Sequence, residues 1–158
     1  MKEVIFLADF FSCDLIGGAE LNDSVLISGL EAKGVKVVKI KTSEVSGEDI
    51  IMNDIFIISN FINLSERHKN MLMLKKYIIY EHDHKYIKTR DPGVFPDFKI
   101  PKDQIVNEEF YKKAHKVVVL SEICKDVLQN NLDLSNVVSI GCSLWSQSKL
   151  DYIRSINT

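Results

Sequence analysis

The 158-residue chain has only three cysteines, three prolines and one tryptophan. Cys13, Cys124 and Cys142 form no metal-type spacing, and so odd and sparse a set suits a reducing compartment. No apolar run approaches the roughly 18–20 residues needed to span a bilayer. The run Val4-Ile5-Phe6-Leu7 is too short for a secretory signal core. There is no large excess of either charge: the formal net charge is −2, with Lys and Arg scattered rather than striped, which argues against a nucleic-acid or anionic-membrane partner. These absences predict a cytoplasmic protein with no membrane span.

Several catalytic signatures are also missing. No G-x-G-x-x-G or Walker A loop occurs, and the second apolar run ends in Lys39 and Lys41 where an NAD-binding unit needs an acid for the ribose. No G-x-S-x-G elbow supports Ser-His-Asp chemistry. A phospho-receiver domain fails as well, because Ser59-Asn60 stands where it needs an acid and Leu120-Ser121 where it needs a lysine.

What is present is an alternation of short β-branched runs with helical stretches. The apolar fraction of 46% is enough for a sizeable core. Strands are predicted at 2–8, 35–41, 54–59, 76–80, 116–120 and 137–140. Their centres, such as Ile55-Phe56-Ile57-Ile58 and Val117-Val118-Val119-Leu120, are continuously apolar, as in strands buried on both faces. Helices are predicted over 18–33, 64–74, 103–114, 121–131 and 149–156, with a short one inside 43–52. Val25, Leu26, Gly29 and Leu30 should form the inner stripe of the first, and Gly34 should end it. Ser65 and Ser121 read as N-caps. The prolines all fall within 81–102, which marks that segment as irregular. The expected fold is a single-domain, doubly wound, Rossmann-like α/β unit, with a parallel sheet of about six strands and helices on both faces. A 3-2-1-4-5-6 strand order would place the loops after the first and fourth strands opposite each other across the ligand crevice.

Two segments carry most of the chemistry. Gly17-Gly18 closes the loop before the first helix. It is either a backbone cradle for a diphosphate or sugar at a helix N-terminus, or a tight turn needing positive φ. Glu20 either complements the helix dipole or bonds a hydroxylated ligand. Glu81-His82-Asp83-His84 follows the fourth strand. It reads as a hydroxyl-binding or acid–base group, a metal pair, or a solvated loop start. Ser121 caps its helix or reaches ligand from the crevice rim.

In order, Gly17-Gly18-Ala19-Glu20, the strand-end Tyr80-Glu81-His82-Asp83, Ala114 through Leu128, and Val137 through Trp145 resemble the N-terminal domain of a GT-B-type, retaining, glycosyltransferase-4-like glycosyltransferase. The resemblance implies that residues 1–145 are the acceptor-side Rossmann-like domain and 146–158 a C-terminal helix or the start of an interdomain linker. It implies a nucleotide-sugar donor, a glycan or other acceptor, and no metal or other cofactor. Gly17 and Gly18 would face the donor diphosphate, His82 the transferred sugar, and Glu20, Glu81, Asp83 and Ser121 the substrates. Gly141-Cys142-Ser143 replaces the family's Pro-Asn-Gly. The family's nucleotide-gripping domain with its Glu-x7-Glu signature lies outside these residues, so this chain by itself is expected to be inactive. The alternatives are a stand-alone ligand-binding or assembly module and a metal-dependent hydrolase built on His82 and His84.

Overall fold

A computed structural model describes residues 3–156. The predicted strand start at Lys2 and the end of the 146–158 segment lie outside these residues. Six parallel strands form one sheet: β1 (Glu3–Ala8), β2 (Lys36–Lys41), β3 (Ile55–Ile58), β4 (Lys76–Tyr80), β5 (Lys116–Val119) and β6 (Val137–Ser139). The helices are α1 (Gly18–Ala32), α2 (Gly47–Met52), α3 (Glu66–Leu72), α4 (Glu108–Lys113), α5 (Glu122–Leu132) and α6 (Gln147–Ile156). The chain is a single Rossmann-like α/β domain.

Alternate residues of the apolar runs serve opposite faces. Ile5, Leu7, Phe56 and Ile58 join one core cluster, while Val4, Phe6, Ala8 and Ile57 join the other. The period of two along a strand makes a continuous apolar run the signature of a sheet covered on both sides. Leu26, Ile27 and Leu30 of α1 pack on the second cluster, and Val127, Leu128 and Leu132 of α5 on the first.

The strand order is β2-β1-β3-β4-β5-β6, not 3-2-1-4-5-6. The third strand lies between the first and fourth, so the winding reverses between β1 and β3. Right-handed crossovers then send the β1–β2 helix to one face and α2 to α5 to the other. The crevice moves with the reversal: it opens between the loops after β1 and β3, with the loop after β4 one strand further along.

Three local expectations change. In α1, Ile27 is buried and Gly29 exposed, and the polar Asn22 and Asp23 occupy the inner face one turn earlier. The predicted helix at 103–114 divides into a 3₁₀ turn at Lys102–Gln104 and α4. Asn107 between them is left-handed (φ 57°), and Ile105 pairs with Ile87 in an isolated antiparallel bridge. The proline segment folds into 3₁₀ turns at Pro92–Val94 and Pro96–Phe98, tied to α5 by Asn131, which bonds the Phe98 carbonyl and the Ile100 amide, both at 2.8 Å. The caps form as predicted. Ser65 and Ser121 accept from the amides of His68 and Cys124, and Gly34 ends α1 at φ 78°. Among the described residues no helix is long and apolar enough to cross a membrane.

Candidate functional site

At the carboxyl end of the sheet lies a cleft of about 530 Å³. Asp9 and Phe10 after β1, Gly18 and Glu20 of α1, Asn60 and Asn63 after β3, and Asp83 and Arg90 after β4 border it. Its place follows from the topology, because the reversal between β1 and β3 splays their loops apart. A groove of similar volume, about 570 Å³, lies between the 97–105 turns and α5, but it brings none of the predicted site residues together.

Gly17 is the N-cap of α1 with extended backbone (φ −128°, ψ 170°), and no side chain caps the helix. Neither Gly17 nor Gly18 has positive φ, so the tight-turn explanation fails. A β-carbon on Gly17 would displace the end of the Glu20 side chain, whose carboxylate folds back over it. Glu20 itself is buried. No side chain hydrogen-bonds the first-turn N–H groups of α1, although the Glu20 carboxylate lies over Gly17, and Gly18 borders the cleft, an arrangement open to an oxygen-rich ligand.

Asp9, which sequence reasoning missed, holds the cleft floor. Its buried carboxylate accepts from the Ile62 amide (2.8 Å), the Asn63 amide (3.0 Å) and the Thr42 hydroxyl, so that both oxygens are used. An acid directly after the apolar Leu7-Ala8 was the available signal.

The loop after β4 is organised by a buried ion network. Lys85 Nζ lies 2.9 Å from Glu81 Oε1, 2.5 Å from Asp83 Oδ1 and 3.2 Å from Asn60 Oδ1. Glu81 also accepts from the Asp83 amide and the Tyr111 hydroxyl. Burial alone would raise the Glu81 pKa, but the Lys85 charge and these donors outweigh it and hold the carboxyl down at about 2. Burial would likewise lower the Lys85 pKa, and the two carboxylates reverse that to a net rise. Asp83 passes its second oxygen to Arg90 (3.0 Å), carrying the network out to the cleft edge. The i,i+4 spacing of Glu81 and Lys85 was visible in sequence, though nothing there showed that both would be buried.

His82 is engaged elsewhere. Its side chain is only 5% exposed, Nε2 lies 3.1 Å from Asp23 Oδ1 of α1, and the ring stands edge-on to Tyr80 at 4.5 Å. His84 takes another direction: Nδ1 meets the Tyr86 hydroxyl at 3.1 Å and Nε2 approaches Cys124 Sγ at 4.0 Å. Burial pushes the His84 pKa down. Among the described residues no three His, Cys, Asp or Glu side chains converge as metal ligands.

The predicted residues therefore fall into three places. Gly18, Glu20 and Asp83 line the cleft, with Gly17 directly behind Gly18. His82 and Glu81 border a separate, water-sized cavity of about 10 Å³. Ser121 spends its hydroxyl on the α5 cap. Compared with known proteins, the chain matches no family model and no curated sequence.

Proposed function

We propose that the chain is the acceptor-side half of a GT-B-type sugar-transfer site, binding a nucleotide-sugar donor and a hydroxylated acceptor in the cleft at the β1/β3 reversal. What carries this reading is the contact between Asp23 and His82. It ties the helix opened by Gly-Gly-Ala-Glu to the histidine that ends the β4 motif, 59 residues away in the chain. The amides at Gly17 and Gly18 would meet the donor diphosphate. Glu20 and Asp83 would accept sugar hydroxyls, and His82 would meet the transferred sugar. Glu81 acts on the ligand only through Lys85 and Asp83, and Ser121 shapes the rim as the cap of α5. The chemistry needs a second wall to grip the nucleotide and exclude water, since a transition state is stabilised by groups fixed around it on all sides.

The test is an amide-resolved NMR titration of the chain with UDP-glucose and GDP-mannose at millimolar concentration. Shifts clustered at residues 17–20, 60–63 and 82–83 are expected. If neither compound moves those amides, the reading fails.

The burial of the His82 ring favours a second reading, a ligand-binding or assembly module without catalysis. Calorimetry separates the two. Micromolar binding of a nucleotide sugar by this chain alone would mean a self-sufficient site and favour the second; weak binding that tightens when a nucleotide-gripping domain is added favours the first.

A further inference from the structure

Two buried aspartates flank the same end of the sheet, and they are satisfied very differently. Asp9 has hydrogen-bond donors on both oxygens, two of them backbone amides, as a carboxylate kept for structure should. Asp23 is buried at 1% exposure and has one hydrogen-bond partner for its side chain among the described residues, His82 Nε2 on Oδ1. Its Oδ2 is sealed from solvent with nothing bound to it. The hydroxyl of Tyr80, the residue whose ring packs on His82, is sealed and unpartnered as well. The surroundings are apolar, with Leu26 and Ile27 of α1 and Leu144 in the same cluster as Tyr80.

A bare carboxylate oxygen in such a place is costly, and an apolar side chain on this face of α1 would pack without that cost. Folding therefore gives no reason for Asp23. Its one polar contact does.

We propose that Asp23 is a positioning residue for His82: its Oδ1 keeps the Nε2 proton in place and fixes the ring, so that Nδ1 is the nitrogen offered as an acceptor to a ligand hydroxyl. A carboxylate only accepts hydrogen bonds, so with Asp23 as a carboxylate and a neutral ring Nε2 donates and the lone pair falls on Nδ1. Nδ1 has no hydrogen-bond partner among the described residues and is not one of the sealed, unpartnered atoms. Tyr80 completes the mount, because its edge-on contact limits rotation of the ring about the Asp23 bond. The ligand class is a polyol, one hydroxyl of which would meet the ring at the water-sized cavity that His82 shares with Glu81 and His84. This part rests on the sugar reading above, whereas the tautomer itself does not.

The experiment is a long-range ¹H–¹⁵N spectrum of the histidine rings, recorded on the natural chain and on Asp23→Asn, each with and without UDP-glucose. The natural chain should show His82 as the pure Nε2–H tautomer. Asp23→Asn, which can donate as well as accept, should show both tautomers and bind UDP-glucose about tenfold more weakly, the low end of what loss of an orienting partner costs a metal-binding histidine. Its thermal midpoint should hold or rise, which a merely structural role for Asp23 would not allow. A mixed or Nδ1–H ring in the natural chain overturns the proposal whether or not the variant folds. So does an unchanged tautomer, or unchanged UDP-glucose affinity, in Asp23→Asn. If the tautomers behave as expected but UDP-glucose binds neither protein, the positioning role stands and the sugar-nucleotide reading falls.

Discussion

Lys85 Nζ sits 2.9 Å from Glu81 Oε1 with the lysine side chain fully buried and the glutamate 3% exposed. Two consequences follow from putting both charges out of water.

Lys85→Met leaves Glu81 charged, buried and short of its main donor. The expected loss is about 3–5 kcal/mol of unfolding free energy, the range for breaking one side of a buried pair. The double variant Glu81→Gln/Lys85→Met should recover at least half of it, because no uncompensated charge remains. Urea unfolding of the three proteins measures both numbers.

The same pair sets an acid limit. The folded-state pKa of Glu81, about 2, lies below its ordinary value of 4.5. A depressed carboxyl contributes stability that is present above 4.5 and lost as pH falls toward 2. Unfolding free energy should therefore decline through that window. In Glu81→Gln the decline should be shallower, which pH-resolved denaturation would show.

Two glycines of the first helix and its end should respond to alanine with opposite sign. Gly29 is exposed, helical, and has open space where a β-carbon would go, so Gly29→Ala should stabilise by about 1 kcal/mol. Gly34 has equal space but φ of 78°, so Gly34→Ala should destabilise by about 1–2 kcal/mol. Thermal melts of the two single variants decide the matter.

Asp9→Asn removes the charge that gathers the Ile62 and Asn63 amides and turns one of its own N–H groups toward them. A cost of about 2 kcal/mol is expected from the loss of charge-assisted bonds. Hydrogen exchange should accelerate at Ile62 and Asn63 while amides of β6 keep their protection.

Sequence reading succeeded where one residue carries a local physical signal. Continuous apolar runs marked the strands, Ser65 and Ser121 marked helix starts, and Gly34 marked a stop. It failed where partners distant in the chain decide. The strand orders 3-2-1-4-5-6 and 2-1-3-4-5-6 use the same strands and the same right-handed crossovers, so nothing in the runs themselves separates them. Ile105, Val106 and Phe110 fit a helix stripe, but Asn107 turns left-handed between them and donates to the Lys85 carbonyl, which the pattern does not encode. Asp23 escaped notice because an inner-face acid contradicts the apolar spacing on which the helix was recognised. In retrospect, that contradiction was its signal.

The strand order also settles what the sheet leaves uncovered. β2 and β6 form its two free edges. β6 is three residues long, and β2 carries Lys36, Lys39 and Lys41 in six residues. A neighbouring chain seeking to extend the sheet finds too few backbone groups on one side and, on the other, those lysines, of which Lys36 and Lys41 are paired with Glu3 and Asp14. A domain with so apolar a sheet is thereby shielded from edge-to-edge aggregation at high concentration.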